Sequence, residues 1–179
     1  SFTWFIVLFL LWTVAASLPA TADTTDKFAG TVLFIRHAVA PGFGDPDHFS
    51  IKDCQTQRNL NETGRKQAKA IGAKLAAADI KFSAIYSSYW CRCLETALLL
   101  GLGAVTPLDG LNSFFQGHVP RDTTLAKLRQ KLSSLSPMAA ATIMVTHFVT
   151  IRAITGLAVA SGDVVIYDLK TGKARVMSL

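Results

Sequence analysis

Histidine and arginine residues follow three apolar segments of the chain. Arg36 and His37 come directly after a β-branched and apolar run at 31–35, and His147 comes directly after a similar run at 142–146. Arg92 follows a shorter apolar segment and lies near the start of a helical pattern. Guanidinium groups match the geometry of phosphate oxygens, and imidazole can act as a nucleophile or a hydrogen-bond donor. These residue types predict an anion-binding catalytic site.

The sequence argues against two other kinds of site. It contains no H-x-H or H-E-x-x-H spacing, and the residues beside the two histidines are cationic, so zinc is disfavoured. It also contains no Walker-type or dinucleotide Gly-rich loop. We therefore expect neither a metal nor a cofactor, and we interpret His48 and His118, which lie alone in polar loops, as structural or solvent-facing.

The elements that must position these side chains alternate between strands and helices. Strands are predicted at 31–35, 82–86 and 142–146, with a hairpin at 164–169 and 173–179. Helices are predicted at 63–78, 91–100, 124–135 and 149–157. This alternation favours a three-layer α/β/α sandwich with a mostly parallel central sheet, in which ligands bind beyond the carboxyl ends of the strands. The aperiodic stretch 41–58 is predicted to be a functional loop or lid.

The beginning of the chain differs from the rest in charge. Residues 1–26 contain no Lys or Arg, and the apolar run 2–18 is followed by Pro19 and Ala20-Thr21-Ala22. An apolar run before a small-x-small site is typical of a secretory signal peptide. A retained membrane anchor is the alternative, and a buried core helix is a third. We expect a signal peptide at 1–22 and one domain at 23–179, periplasmic or secreted and without stable membrane insertion after cleavage.

Composition limits the class of protein. The chain has 179 residues, a formal net charge of +6, and half of its residues are apolar. This excludes a disordered, collagen-like or coiled-coil chain and allows one domain with a full core. The excess of positive charge is compatible with nucleic acid or an anionic membrane. The local feature that favours such a partner is the basic face of the helix at 63–78. A solvent-exposed helix face explains these charges equally well, so we do not expect a nucleic-acid partner.

Three cysteines allow at most one internal disulfide. In an oxidising compartment Cys54 is expected to pair with either Cys91 or Cys93. The alternatives are a catalytic thiol, for which no local base is evident, and zinc ligation by Cys91 and Cys93, for which two further ligands would be needed.

Four motifs in order resemble those of the histidine phosphatase superfamily, which includes phosphoglycerate mutases and many phosphatases. They are Arg-His-Ala at 36–38, Leu-x-x-x-Gly-x-x-Gln-Ala at 60–68, Tyr-Ser-Ser at 86–88 with Arg-x-x-x-Thr-Ala at 92–97, and Thr-His at 146–147. The resemblance implies a phosphoglycerate mutase-like fold. The small size and the exported context look similar to a bacterial periplasmic branch proposed to act on lipopolysaccharide core phosphates. A phosphorylated small molecule or a lipopolysaccharide-type phosphate is the partner that this implies.

The resemblance also implies a mechanism of two steps. His37 would attack phosphorus to form a phosphohistidine, which water hydrolyses, and a hydrogen bond to its other ring nitrogen would fix the reactive tautomer. Arg36, Arg92 and His147 would hold the phosphate oxygens, without a metal. Arg58 is either a fourth phosphate contact or a surface charge of its loop.

The sequence lacks the residue that serves as general acid in related enzymes. Related enzymes commonly use a Glu in a Leu-x-Glu segment, whereas the corresponding stretch at 107–113 has no Glu. Asp45, which we place in the substrate-binding set, or Asp47 could supply the proton from the loop at 41–58, and Asp109 and Asp122 are weaker candidates. Without an acid the enzyme would favour good leaving groups, such as phosphoramidates or anhydrides. The chain is thus predicted to be an exported phosphatase or, alternatively, an inactive phosphate-binding pseudoenzyme.

Overall fold

Six strands form one sheet in the computed structural model, which describes residues 26–179. The strands are β1 (Thr31–Arg36), β2 (Phe82–Ser87), β3 (Val105–Pro107), β4 (Ala141–Thr146), β5 (Val164–Asp168) and β6 (Ala174–Met177). Their spatial order is β3-β2-β4-β1-β5-β6. The pairs β1–β4, β2–β4 and β2–β3 are parallel, whereas β5 runs antiparallel to both β1 and β6. The prediction of a mostly parallel sheet is confirmed.

Four α-helices cover the two faces of this sheet. They are α1 (Glu62–Ala77), α2 (Cys91–Leu99), α3 (Arg121–Ser134) and α4 (Phe148–Thr155). Alternate residues of β1 point to opposite faces: Leu33 and Ile35 pack in the core that contains residues of α1 and α2, and Val32 and Phe34 pack in the core that contains residues of α3 and α4. The central strands are therefore buried on both sides, as their continuous apolar runs predict, and the three-layer architecture is confirmed.

Most element ends lie within one or two residues of the prediction, and two features differ by more. Strand β3 was not predicted, because it has three residues, ends in Pro107 and follows the glycines at 101 and 103. It forms by pairing with β2, a contact that no local pattern shows. Helix α3 begins at Arg121, three residues earlier than expected, directly after Pro120.

Helix α1 begins against the loop that follows β1. The Asn61 side chain accepts a hydrogen bond from the backbone N–H of Gly64 at 2.8 Å and so caps the helix. A Cβ atom at Gly64 would overlap the carbonyl group of Val39. Glycine at this position therefore allows the helix to approach the segment that follows β1 and contains His37.

The disulfide joins Cys54 to Cys91, the first of the two predicted pairings, and Cys93 is a buried free thiol. The bonded Cys91 does not fit the zinc alternative. Burial raises the pKa of Cys93 to about 12, which does not fit a catalytic thiol either.

The predicted signal peptide or anchor at 1–22 lies outside the described residues. None of the helices between residues 26 and 179 combines the length and apolar character needed to span a bilayer.

Candidate active site

Strand register brings the two predicted histidines together. Arg36, the last residue of β1, pairs with Thr146, the last residue of β4. The backbone N–H of His37 donates to the Thr146 carbonyl at 2.9 Å, and the rings of His37 and His147 lie 5.5 Å apart between centroids. Parallel neighbours end at the same edge of a sheet, so the residues that follow them become adjacent.

A cavity of ≈ 320 Å³ opens at this edge. Five of the six predicted site residues line it, namely Arg36, His37, Arg58, Arg92 and His147. The remaining lining residues are Ala40, Pro41, Gly42, Phe43, Gly44, Ser113, Phe115, Gln116, Phe148 and Ser161. The sixth predicted residue, Asp45, lies behind Arg92 and does not line the cavity.

The tautomer of His37 follows from its backbone contact. Its Nδ1 atom lies 2.8 Å from the carbonyl oxygen of Ala38. Because a carbonyl oxygen only accepts, Nδ1 must carry the proton, and the lone pair resides on Nε2. Nε2 lies 3.3 Å from Nε of Arg92, which donates to it. The ring is therefore oriented with its basic nitrogen beside a guanidinium group.

Both histidines are held neutral. Burial, assisted by the positive charge of Arg92, lowers the pKa of His37 to about 3 although the bond to the Ala38 carbonyl opposes the shift. Burial, assisted by the positive charges of Arg92, Arg58 and Arg36, also lowers the pKa of His147 well below its ordinary value. A neutral imidazole keeps a lone pair, so at neutral pH His37 has the form that nucleophilic attack would require.

Arg92 is anchored by a buried carboxylate. Its Nη1 and Nη2 atoms donate to the two oxygens of Asp45 at 2.7 and 3.2 Å, and only 4% of the Arg92 side chain and 2% of the Asp45 side chain are exposed. Asp45 also accepts from the Trp90 indole N–H at 3.0 Å and from the backbone N–H of Arg58 at 3.0 Å. Burial would raise the pKa of Asp45, but the hydrogen bonds from Arg92 and Arg58 outweigh it and hold that pKa below its ordinary value. Asp45 is thus an ionised partner of Arg92 and not a proton donor.

The Arg58 side chain bonds to the backbone at the start of the loop at 41–58. Its Nε donates to the Gly44 carbonyl at 2.8 Å, and its Nη1 donates to the Ala40 carbonyl. The Gln57 side chain accepts from the backbone N–H of Cys91 at 2.9 Å, and the disulfide of Cys91 lies beside this contact. The loop is therefore fastened to the first turn of α2, which carries Arg92.

One donor atom of Arg36 is buried without a partner. Nη1 donates to the Val159 carbonyl at 2.8 Å, whereas Nε is buried and has no hydrogen-bond partner among the described residues. A buried unpaired donor is costly and rare. Arg36 lines the cavity, and its Nη2 group has no hydrogen-bond partner within residues 26–179, so this part of the guanidinium can bind an anion there.

His147 is held by Ser88 and, through it, by Asn112, which sequence reasoning missed. Its Nε2 atom lies 3.0 Å from the Ser88 hydroxyl, which in turn donates to Asn112 Oδ1 at 3.1 Å. The Tyr-Ser-Ser motif contains Ser88, but Asn112 and the cavity residues at 113–116 follow the short strand β3. Recognition of β3 in the sequence would have identified this segment as a strand-end loop.

None of the four aspartates considered as a general acid lines the cavity. Asp45 is engaged by Arg92, and Asp47 is exposed on the loop surface. Asp109 pairs with Lys127 at 2.6 Å, and Asp122 pairs with Arg121 at 3.1 Å, both on the exposed surface. Among residues 26–179, no carboxylate lines this cavity.

The fold and the cavity at the carboxyl ends of its strands indicate the class of protein. It is an α/β protein whose strand-end pocket contains neutral histidines and arginines. The family model of the histidine phosphatase superfamily (branch 1) matches residues 32–124, just over half of the chain. The chain belongs to this superfamily, as its motifs indicate. No curated protein sequence matches it significantly.

Solved structures share the fold at low sequence identity. The protein histidine phosphatase SixA, solved with tungstate, has a TM-score of 0.56 at 13% identity, covering 83% of this chain and 94% of SixA. Phosphoglycerate mutase from Thermus thermophilus has a TM-score of 0.57 at 16% identity, covering 83% and 99% of the two chains. A mycobacterial glucosyl-3-phosphoglycerate phosphatase has a TM-score of 0.51 at 16% identity, covering 82% and 96%. The phosphoglycerate mutase-like fold is thus shown.

Proposed function

We propose that this protein is a phosphatase in which Nε2 of His37 is the nucleophile. The observation that carries the proposal is the hydrogen bond from Nδ1 to the Ala38 carbonyl, which leaves the lone pair on Nε2 in a cavity lined by three arginines. The depressed pKa of His37 supports the same role, since the imidazole is neutral at working pH.

The reaction has two displacements at phosphorus. In the first, the Nε2–P bond forms while the bond from phosphorus to the leaving group breaks, and the leaving group takes the electron pair. In the second, water attacks phosphorus, the N–P bond breaks, and Nε2 regains its lone pair while the water proton passes to solvent. Phosphoryl transfer of this kind depends on positioning and on stabilisation of the equatorial oxygens.

The three arginines contribute differently. Arg36 lines the cavity and offers its Nη2 group, which no described residue engages, to a phosphate oxygen. The donors of Arg92 are mostly engaged by Asp45, His37 and the Arg58 carbonyl, which leaves one N–H of Nη2 for substrate. We therefore assign Arg92 mainly to orienting the nucleophile in the resting site, and its bond to Nε2 breaks as the same lone pair attacks phosphorus. Asp45 positions Arg92 and does not contact substrate directly, which differs from our expectation.

The leaving group departs without a carboxylic acid beside it. The lining of the cavity supports this, because no carboxylate of the described residues belongs to it. Substrates whose leaving groups are stable as anions, or are otherwise weakly basic, are therefore favoured over alkyl phosphates.

The experiment measures phosphate release from 4-nitrophenyl phosphate and acetyl phosphate by the purified domain. His37→Ala is expected to abolish turnover, whereas the matched control His48→Ala, at an exposed histidine that does not line the cavity, should retain it. Brief incubation with labelled substrate should yield an acid-labile, base-stable phosphoenzyme in the parent protein. Unchanged turnover in His37→Ala contradicts the mechanism.

A phosphate-binding protein without turnover is the second candidate, and the lack of a lining carboxylate favours it. It requires that orthophosphate binds, measured by the fluorescence of the buried Trp90, while none of a broad panel of phosphorylated metabolites and lipopolysaccharide is hydrolysed. Turnover that depends on His37 excludes it.

We also propose that the protein is periplasmic or secreted and acts on a phosphorylated small molecule or a lipopolysaccharide-type phosphate. The Cys54–Cys91 disulfide supports export, since such bonds persist in oxidising compartments. Cell fractionation with a thiol count tests this: the exported protein has one free thiol after denaturation, and a cytoplasmic protein with three contradicts it. A nucleic-acid partner remains unexpected, because Arg65 in the basic face of α1 pairs with Glu62 and Glu95.

A further inference from the structure

Three phenylalanines from separate segments meet at the mouth of the cavity. Phe43 lies in the loop at 41–58, Phe115 follows β3, and Phe148 is the first residue of α4. The ring centroids of Phe43 and Phe115 are 5.1 Å apart, and those of Phe115 and Phe148 are 5.6 Å apart. We call these three side chains the aromatic wall.

The outer end of the aromatic wall faces solvent. Phe43 is 86% exposed and Phe115 is 40% exposed. Phe43 is flanked by Gly42 and Gly44, whose φ angles of +96° and +69° favour glycine and hold the phenylalanine at the tip of the loop. A single exposed apolar residue needs no explanation, but two rings from distant segments in edge-to-face contact beside a cavity form a surface suited to a ligand.

The inner end of the aromatic wall reaches the phosphate pocket. The Arg36 guanidinium lies 5.3 Å from the centroid of the Phe148 ring. The same Arg36 lines the cavity together with His37 and His147. A group attached to a phosphate at Arg36 would therefore lie along the aromatic wall on its way to solvent.

We propose that the aromatic wall is the leaving-group subsite and that the substrates are small molecules with the phosphoryl group attached to an aromatic ring. The proposal rests on the proposed phosphatase function and names its substrate class. A flat ring can stack on or pack edge-to-face against the phenylalanines. The cavity lining contains no carboxylate among the described residues, and an aryl oxygen needs no protonation to depart because its ring delocalises the charge. Two independent observations thus favour the same class.

The chemical step is balanced within this site. The Nε2–P bond forms at His37, and the P–O bond breaks with its electron pair remaining on the aryl oxygen. The aryloxide takes a proton from water after it leaves, and a second water cleaves the phosphohistidine to phosphate.

Binding of stable phosphonates tests the subsite separately from turnover. Phenylphosphonate and methylphosphonate carry the same anionic group and differ in the ring. We expect phenylphosphonate to bind about tenfold more tightly, because its ring contacts two phenylalanine rings of the aromatic wall. Phe43→Ala should reduce this preference about threefold, and Phe43→Trp should preserve it. The control is Met138→Ala, an equally exposed apolar residue (85%) in the turn before β4, at the opposite edge of the sheet, and it should leave the preference unchanged.

The outcomes separate the two proposals. The subsite proposal is overturned if both phosphonates bind with equal affinity, or if Phe43→Ala leaves the preference for phenylphosphonate unchanged. The phosphatase proposal would still stand in that case if hydrolysis of acetyl phosphate depends on His37. A preference that is lost in Phe43→Ala while no substrate is turned over supports the subsite and overturns the phosphatase. Binding of the protein to lipid vesicles through Phe43, with no phosphonate preference, would identify the aromatic wall as a membrane contact and overturn the proposal.

Discussion

The two neutral histidines at the site make the folded protein sensitive to mild acid. In the folded state the pKa of His37 is about 3, whereas in the unfolded chain it returns to the ordinary value near 6.5. Between these values the unfolded chain binds more protons than the folded protein, and stability therefore rises with pH in this range. The contribution of His37 is fully present above about pH 7 and is lost progressively as the pH falls toward 3.

The size of the effect follows from the two pKa values. At pH 5 the unfolded form of His37 is almost fully protonated and the folded form is not. Going from pH 7 to pH 5 therefore costs about 2 kcal/mol for this group alone. His147, whose pKa is also lowered by burial, adds a loss of the same sign. The loss from the two histidines is a large part of the free energy of unfolding of an ordinary domain, which is about 5–15 kcal/mol.

Urea unfolding at pH 7, 6 and 5 and constant ionic strength measures the effect. Trp90, which is buried and lies 5.4 Å from the ring of His147, is the reporter. His37→Gln places a neutral side chain at the site and should reduce the loss between pH 7 and pH 5 by about 2 kcal/mol relative to the parent. Because the comparison is between slopes, it is independent of the baseline stability of the variant.

The control is His48→Gln, in which an exposed histidine is removed and the parental pH dependence should remain. If the parent and His37→Gln lose the same free energy of unfolding between pH 7 and pH 5, at unchanged m-value, then His37 is not a buried neutral group. The account of its reactive form would then be wrong.

Three further perturbations test the packing around the site. Replacing Cys54 and Cys91 together by serine opens a bridge of sequence separation 37 and should lower the free energy of unfolding by about 4 kcal/mol in urea titrations; equal stability of the variant and the parent would exclude a native bridge. Asp45→Asn removes the charge that balances the guanidinium in α2 and should cost about 3–5 kcal/mol and lower kcat, whereas the exposed Asp47→Asn should do neither; equal effects of both would contradict the buried pair. Gly64→Ala places a methyl group on a backbone carbonyl and should destabilise the protein by about 1–3 kcal/mol in thermal unfolding, and an unchanged Tm would refute this close approach.

The predictions that succeeded depend on short segments of chain. The continuous apolar runs at 31–35 and 142–146 predicted strands buried on both faces, because only a central strand covered by two helical layers buries every side chain. The Arg-His and Thr-His pairs at their ends then had to lie at one edge of a parallel sheet. Three residues with a proline, as in β3, contain too little pattern to be distinguished from a loop.

The partners of the charged groups depend on the tertiary structure. Asp45 lies 47 positions before Arg92, and its pairing brings a loop onto the first turn of a helix. From the sequence this aspartate was a candidate acid or substrate contact, and its place behind the guanidinium changes that role. The choice between Cys91 and Cys93 as the disulfide partner was equally open in the sequence and depends on which side of the α2 turn faces the loop.

The sequence by itself determined the superfamily, the α/β class, the two histidines and the arginines that meet at the edge of the sheet. These features are encoded in periodicity and in residues next to strand ends, which are local. Only the tertiary structure decided the tautomer of His37, the anchoring of Arg92 and the aromatic wall of Phe43, Phe115 and Phe148. The last two arise where segments that are distant in sequence come into contact, and such contacts depend on how the whole core packs. The His37 bond is to the neighbouring residue Ala38, and it depends on the backbone conformation that the fold imposes after β1.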